Sequence, residues 1–198
     1  MNTCAFYLDG MEDVLKKIIE FTDRAHGSQT RKYSPDRYIV HPVRVMDQCR
    51  QYSDDIAVLA AALMHDVLED TPTTKEEMRE FLLSIMDEAT ADRAVDLVVE
   101  LTDVYVKANY PKMNRRTRKA KERDRIATTS ADSQTIKYAD IIDNCKEIVR
   151  EDPDFADVFL RECQQLLQRM DTGNTKLKQI AIDTVEQGRA LLKEQGNV

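Results

Sequence analysis

The sequence has no tryptophan and little glycine or proline. Its 198 residues include five Gly and five Pro, which is poor material for an all-β chain that needs a turn about every ten residues. Hydrophobic residues make up 42% and charged residues 33% of the chain, and the length suits one domain with a sizeable core. We therefore predict a single all-α domain over residues 1–198, a compact bundle of about nine helices.

The chain also lacks long hydrophobic runs and paired cysteines. No segment approaches the roughly 20 apolar residues needed to cross a bilayer, and the N-terminus has no basic stretch followed by an apolar run. The four cysteines are Cys4, Cys49, Cys145 and Cys163, and none forms a C-x-x-C pair. This spacing excludes a zinc ribbon and a redox motif. We predict a cytoplasmic protein with reduced thiols and no membrane partner.

Negative charge is in excess, at 36 Asp and Glu against 29 Lys and Arg. Such a surface repels nucleic acid unless its cations are gathered, and residues 112–125 gather eight of them. Arg115, Arg118 and Lys119 share one helical face, so this segment fits a phosphate-binding surface and a salt-bridged, solvated helix equally well. Neither a glycine-rich phosphate loop nor interleaved aromatic residues accompany it.

Apolar residues at three- and four-residue spacings predict helices along the whole chain. Gly27 is a helix stop signal, Thr73 or Thr74 can cap a helix, and Pro42 suits a first helical turn while moving His41 out of the α region. The apolar run 56–64 predicts a helix buried on most sides. The remaining predicted helices span 11–26, 74–85, 89–103, 111–127, 133–150, 153–170 and 174–194.

Two short segments carry candidate site residues. His65 and Asp66 end the apolar run, and Glu69 and Asp70 follow one turn later, so carboxylates crowd two turns. Such crowding is repulsive unless a divalent metal neutralises it, although an acidic helix end with a satisfied histidine is the plainer interpretation.

The second segment lies near position 140. Asp140 and Asn144 share a helix face there, which is also consistent with an ordinary solvated surface.

Four motifs in order turn these ambiguous patterns into a specific resemblance. They read Gln29-x-Arg31-Lys32, Tyr38-Ile-x-His41-Pro42, Ala61-Ala-Leu-x-His65-Asp66-x-x-Glu69-Asp70-Thr71, and Ile136-Lys-x-Ala139-Asp140 with Asn144. This order resembles the HD-domain hydrolases of the RelA/SpoT type, above all the small alarmone hydrolases that remove pyrophosphate from the 3′ position of (p)ppGpp. The resemblance covers roughly residues 10–150, with the metal site and catalytic core within 20–150 and helices from 151–198 completing the bundle.

The resemblance implies a role for each matching residue. The metal ligands would be His41, His65, Asp66 and Asp140, holding one Mn²⁺ per chain or another divalent transition metal. The catalytic acids would be Glu69 and Asp70. The nucleoside contacts would be Arg31, Lys32 and Asn144, and the basic residues Lys112, Arg115, Arg118 and Lys119 are further candidates for binding the substrate.

The chain departs from the family pattern at two places. The usual A-H-x-G-Q reads Ala25-His-Gly-Ser-Gln29 here, which leaves His26 as a structural histidine or a substrate contact. In the last motif, Glu147 replaces a threonine that is common near the purine, and Lys146 replaces an arginine. These changes leave the metal residues intact and leave the base preference open between guanine and adenine.

The predicted function is metal-dependent hydrolysis of the 3′-pyrophosphate of (p)ppGpp or (p)ppApp, releasing pyrophosphate and GDP/GTP or ADP/ATP. The partner expected is a small nucleotide rather than nucleic acid, and the sequence does not define an oligomeric state. Another HD-type nucleotidase or phosphodiesterase is the alternative enzyme. A non-catalytic helical module that binds nucleic acid or a nucleotide through residues 112–125 is the alternative from another class.

Overall fold

A computed structural model describes residues 3–196, with side chains from residue 10 onward. These residues form ten helices and no strand beyond an isolated bridge between Thr30 and Arg37. The helices are α1 Thr3–His26, α2 Val40–Arg50, α3 Ile56–Met64, α4 Val67–Asp70, α5 Lys75–Leu83, α6 Glu88–Leu101, α7 Arg115–Ile126, α8 Ala131–Glu151, α9 Pro153–Leu167 and α10 Thr175–Glu194. The all-α prediction is confirmed, with nine longer helices and the single turn α4 in the described part.

Several helix ends occur where local sequence signals place them. Gly27 ends α1 with φ of 58° and donates its N–H to the carbonyl of Asp23 at 3.0 Å, a left-handed conformation that glycine adopts at little cost. Thr74 caps α5 in a reciprocal capping box with Glu77, which satisfies backbone donors at the helix start. Pro153 occupies the first turn of α9, where its missing N–H is harmless.

The structure corrects several sequence expectations, among them the start of α1, which is Thr3 rather than 11. His41 lies inside α2, which begins at Val40, although it precedes Pro42. The N–H of His41 donates to the carbonyl of Tyr38 at 3.0 Å, and this turn outweighs the proline's disfavour of the α region. Helix α7 begins at Arg115 rather than 111, and the turn α4 was not foreseen as a helix of its own.

The first compact unit comprises Met1–Thr102, and α3 forms its centre. Every residue of α3 from Ala57 to Met64 is buried, because the helix packs against α1, α2 and α6. The rings of Phe21 on α1 and Phe81 on α5 stack with centroids 4.1 Å apart. Burying an apolar helix on all sides fixes the position of the segment that leaves its C-terminal end.

The second compact unit comprises Asp103–Val198, where α8 packs against α9 and α10. The turn before α10 is held to α8, since Thr172 N–H donates to Gln134 Oε1 at 3.1 Å and Asn174 N–H donates to Thr135 Oγ1 at 2.9 Å. Desolvation raises the pKa of buried Tyr138 on α8 to about 12.

The expected single domain over residues 1–198, with the core within 20–150 and helices from 151–198 completing it, stays a prediction. Among the described residues, no helix combines the length and the hydrophobicity that crossing a membrane requires.

Gly173 provides a test of the packing between α8 and the turn before α10. A Cβ atom there would lie 2.6 Å from Tyr138 Cε2 and 2.9 Å from the backbone nitrogen of Thr135, and backbone atoms cannot yield easily. We expect Gly173→Ala to lower the free energy of unfolding by about 1–3 kcal/mol, measured by urea titration. Gly10→Ala is the control, because a Cβ atom added there would meet no described atom beyond its own stretch of helix within 4 Å and alanine favours a helix. A loss no larger than in the control would contradict the packing.

Candidate metal and catalytic site

The end of α3 positions two of the candidate metal ligands. His65 follows the buried helix with helical φ and ψ of −58° and −30°, and Asp66 turns the chain with φ and ψ of −98° and −4°. Asp66 stands at the N-terminus of α4, yet its side chain makes no capping hydrogen bond. Its carboxylate faces the two imidazoles of the first unit instead.

His41, His65 and Asp66 form a compact donor cluster. Asp66 Oδ2 lies 3.0 Å from His65 Nε2 and 3.6 Å from His41 Nε2. One ligand atom from each residue lies within 4.8 Å of the other two. The imidazole rings meet edge to face, with centroids 5.2 Å apart. Two nitrogens and one carboxylate oxygen at these separations can share a single cation.

The chemistry of these donors fits a divalent transition metal. His65 Nδ1 is 2.9 Å from the carbonyl of Ala62, and since a carbonyl only accepts, the proton belongs on Nδ1. In that tautomer Nε2, which faces Asp66, carries a free lone pair, as metal-binding histidines require. Both rings are nearly inaccessible to solvent, with 1% of His41 and 3% of His65 exposed. Imidazole and carboxylate together suit Mn, Fe or Zn.

Glu69 and Asp70 lie on α4, immediately after the cluster. Their N–H groups donate to the carbonyl of Asp66 at 3.2 and 2.9 Å, so α4 holds both acids within one turn of that carboxylate. Partial burial raises the pKa of Asp70 from its usual value, and the negative charge of Asp66 raises it further. Neighbouring aromatic and imidazole side chains lower this pKa by smaller amounts. A carboxylate with a raised pKa is suited to accepting and returning a proton.

Tyr38 and His26 join this site, although sequence reasoning did not assign Tyr38 a role. The Tyr38 hydroxyl lies 2.5 Å from Asp66 Oδ2 and 3.4 Å from Asp70 Oδ2. The ring of His26 stacks on that of Tyr38 with centroids 4.4 Å apart. Tyr38 opens the motif that contains His41, so the i, i+3 spacing was the available signal.

The predicted nucleoside contacts Arg31 and Lys32 stand in the segment between α1 and α2. Arg31 is 9% exposed, and its guanidinium lies 5.6 Å from the centroid of the Tyr38 ring. Lys32 is exposed and donates to the Tyr33 hydroxyl at 2.5 Å. Arg31 therefore adjoins the donor cluster of the first unit, while Lys32 presents its charge at the surface.

Asp140 and Asn144 belong to α8 in the second unit, one turn apart as predicted. Asn144 Nδ2 donates to Asp140 Oδ1 at 2.6 Å, and Lys137 Nζ lies 2.8 Å from Asp140 Oδ2. The carboxylate is buried, with 6% of the residue exposed. Its role as fourth metal ligand, and the substrate contact of Asn144, stay predictions.

The basic helix α7 is largely engaged in pairs within the second unit. Arg115 Nη2 donates to Glu162 Oε2 at 2.9 Å, Lys119 Nζ donates to Asp103 Oδ2 at 3.0 Å, and Arg118 Nη1 donates to the carbonyl of Met113. These contacts favour the salt-bridged interpretation of the segment, whereas Lys112 is exposed. Substrate binding by Lys112, Arg115, Arg118 and Lys119 stays a prediction.

The HD domain family matches residues 38–145, which is more than half of the chain. The chain belongs to the HD-domain family. The matched region begins at Tyr38 and includes His41, His65, Asp66 and Asp140. The resemblance inferred from the four motifs is thereby confirmed at the level of the family.

Two relatives of this HD domain are named as alarmone enzymes. Over 137 residues the chain is 31% identical to a guanosine-3′,5′-bis(diphosphate) 3′-pyrophosphohydrolase of Aquifex aeolicus (strain VF5), covering 68% of this chain and 18% of that protein. Over 72 residues it is 46% identical to the bifunctional (p)ppGpp synthase/hydrolase SpoT of Escherichia coli (strain K12), covering 35% and 10%. The chain thus spans at most about a fifth of the length of these curated relatives.

A solved structure shares the fold of the HD domain. It is described as a metazoan ortholog of SpoT that hydrolyzes ppGpp, and it matches with a TM-score of 0.73 and 22% identity over 90% of this chain and 96% of that one. The helical architecture is therefore one that a known protein adopts at nearly full length.

His65 provides the direct test of the donor cluster. We expect His65→Ala to weaken Mn²⁺ binding, measured by isothermal titration calorimetry, by more than about 100-fold, because losing a ligand exceeds the 10- to 100-fold cost of losing an outer-shell partner. Met64→Leu is the control, since it keeps a buried apolar side chain of similar volume next to His65 and removes no ligand. Circular dichroism verifies that both variants are folded. Equal Mn²⁺ affinity in the two variants would contradict ligation by His65.

Proposed function

We propose that the chain is a metal-dependent 3′-pyrophosphohydrolase of guanosine or adenosine 3′,5′-polyphosphates, with Mn²⁺ as its metal. The observation that carries the proposal is the convergence of two buried imidazoles and the carboxylate of Asp66 beside two further acids on α4. The activity for which the Aquifex aeolicus relative is named supports the choice of substrate class.

His41, His65 and Asp66 would hold the cation through Nε2, Nε2 and Oδ2. We propose Asp140 as the fourth ligand, because it matches the family motif and is a buried carboxylate. A bound divalent cation supplies a Lewis acid for phosphate oxygens and lowers the pKa of water in its coordination sphere. The two imidazoles carry no charge in their ligating tautomer, so the carboxylates provide the negative charge that attracts the cation.

Hydrolysis adds one water across the bond between phosphorus and the ribose 3′ oxygen. Glu69 or Asp70 takes a proton from the water as its oxygen bonds to the phosphorus. The bond to the 3′ oxygen then breaks, and that oxygen receives a proton as the nucleotide leaves. Both acids are a single helical turn from Asp66, and this proximity supports their assignment to proton transfer beside the metal residues.

Arg31, Lys32 and Asn144 are proposed to recognise the nucleotide. The planar guanidinium of Arg31 can stack on a purine or form paired hydrogen bonds with a phosphate, whereas Lys32 contributes a point charge. Arg31 is already beside the aromatic ring of Tyr38, which limits its freedom before the ligand arrives. Among the four basic candidates, Lys112 is exposed and takes no part in the contacts of α7 described above, so we propose it as a contact for a substrate phosphate.

A nucleotide panel tests the assignment. The purified protein is incubated with Mn²⁺ and with 3′-diphosphorylated nucleotides, 5′-triphosphates and cyclic dinucleotides, and the products are separated by ion-exchange chromatography. Release of pyrophosphate from 3′-diphosphorylated nucleotides alone is the expected result. Release of single phosphate, of triphosphate or of a linear dinucleotide would instead favour another HD-type nucleotidase or phosphodiesterase.

Glu69→Gln separates chemistry from metal binding. The substitution keeps the shape of the side chain but removes its basic carboxylate, and general-base assistance typically contributes about 10²- to 10⁴-fold. We expect kcat to fall within that range while Mn²⁺ affinity is unchanged. The control is Glu80→Gln, which neutralises an exposed carboxylate on α5 and should leave kcat as it is. A loss below tenfold would assign the proton transfer to Asp70.

The base preference is tested by comparing kcat/KM for ppGpp and ppApp. Guanine and adenine differ in a few polar groups at the ring edge, each worth about 1–3 kcal/mol when it is left unpaired on burial. Stacking by Arg31 does not depend on the identity of the base, and Glu147 can accept a hydrogen bond from either ring. We expect adenine alarmones to be tolerated or preferred. A preference for ppGpp of a hundredfold or more would contradict this.

A further inference from the structure

Tyr38 is fixed at its backbone between α1 and α2. Its N–H donates to the carbonyl of Gln29 at 3.0 Å, and its own carbonyl accepts from the N–H of His41 at 3.0 Å. The residue is thus tied both to the turn after α1 and to the helix that carries a candidate ligand. Movement of its ring relative to His41 is restricted by this short connection.

The Tyr38 ring is held by neighbours on the same segment. His26 stacks on it with an interplanar angle of 27°, and His26 Nδ1 lies 2.9 Å from Gln29 Oε1. His26 is 7% exposed, and its Nε2 has no hydrogen-bond partner among the described residues. The observed contact between His26 and Tyr38 is therefore the stacking of their rings.

The Tyr38 hydroxyl reaches the same oxygen that faces both imidazoles. Asp66 Oδ2 is 2.5 Å from the hydroxyl, and the two histidine Nε2 atoms face this oxygen too. An ionised carboxylate only accepts hydrogen bonds, so Tyr38 is the donor. A carboxylate oxygen has two lone pairs, which allows Oδ2 to accept this hydrogen bond and still offer a lone pair to a cation.

The second contact of the hydroxyl extends to the neighbouring acid. Asp70 Oδ2 lies 3.4 Å away, so a single neutral donor stands between two carboxylates that repel each other. A lysine or arginine in this place would neutralise Asp66 and compete with a metal. A phenol orients the carboxylate without cancelling its charge, which is the usual property of an outer-shell partner of a metal ligand.

We propose that Tyr38 is a positioning residue of the metal site, whose hydroxyl orients Asp66 Oδ2 toward the two imidazoles, and that the stacked ring of His26 keeps Tyr38 in place. The inference rests on the proposed function for its kinetic consequences. Its central claim concerns metal affinity and can be measured without any substrate.

Tyr38→Phe tests the claim, because it preserves the ring and removes only the hydroxyl. Mn²⁺ alone is titrated into the full chain, and free Mn²⁺ is followed by electron paramagnetic resonance. We expect the dissociation constant to rise about 10- to 100-fold. Tyr52→Phe is the matched control in the first unit, because Tyr52 follows the C-terminal end of α2 whereas His41 stands at the start of that helix, and it should bind as the unmodified protein does. A change below about fivefold in Tyr38→Phe overturns the inference.

Kinetics distinguish positioning from general loss of structure. We expect Tyr38→Phe to lower kcat at subsaturating Mn²⁺, to recover it at least in part as Mn²⁺ is raised, and to leave the KM for the nucleotide within about threefold. A fall in kcat that no Mn²⁺ concentration relieves, together with unchanged metal affinity, would overturn the inference. Unmodified protein that binds Mn²⁺ but cleaves no alarmone would contradict the proposed function and leave the metal measurement valid.

A pair of variants at His26 tests the stacking. His26→Phe retains a ring beside Tyr38, whereas His26→Leu does not. We expect the leucine variant to bind Mn²⁺ at least threefold more weakly than the phenylalanine variant, with both proteins folded by circular dichroism. Equal affinities would show that the His26 ring does not hold Tyr38, and that part of the inference would fail.

Discussion

Burial of α3 from Ala57 to Met64 is the constraint on which the candidate site depends. A nine-residue apolar helix can exclude water on every side only when α1, α2 and α6 surround it, and close packing then leaves little freedom for the residue that follows. His65 and Asp66 therefore emerge at a fixed place. The same packing brings α2, with His41, against that end. A stable core thus determines the position of these polar groups, although burying such groups away from water costs free energy by itself.

The donor cluster gathers negative charge at this end of the first unit. Asp66 faces two imidazoles and a phenol, and histidines that ligate a metal through Nε2 are neutral, so none of the three would then cancel its charge. Glu69 and Asp70 add further negative charge nearby. Such an arrangement is costly unless a cation binds, which is why the donor cluster is better explained by a metal than by structural stabilisation.

The basic segment, residues 112–125, differs from the donor cluster because several of its charges are paired within its own unit. Eight cations look like a surface for a polyanion in the sequence, but α7 uses several of them for contacts within its own unit. Buried Glu122 accepts from the N–H groups of Val104 and Tyr105 at 3.0 and 2.8 Å, and the Arg125 guanidinium lies 2.5 Å from the same side chain. The helix therefore anchors the loop before it, a role that charge counting alone does not predict.

The sequence by itself determined the helical class, most helix ends and the order of the site motifs, because caps, glycine stops and apolar spacing act over one or two turns. It therefore predicted the helix stop at Gly27 and a cap at Thr73 or Thr74, of which the structure uses Thr74. Only the tertiary structure decided which distant polar atoms meet. The hydroxyl of Tyr38 reaches Asp66 across 28 positions of the chain, and the α-helical conformation of His41 overrides the effect of Pro42. Contacts of that kind depend on how helices pack, and no local spacing rule encodes packing.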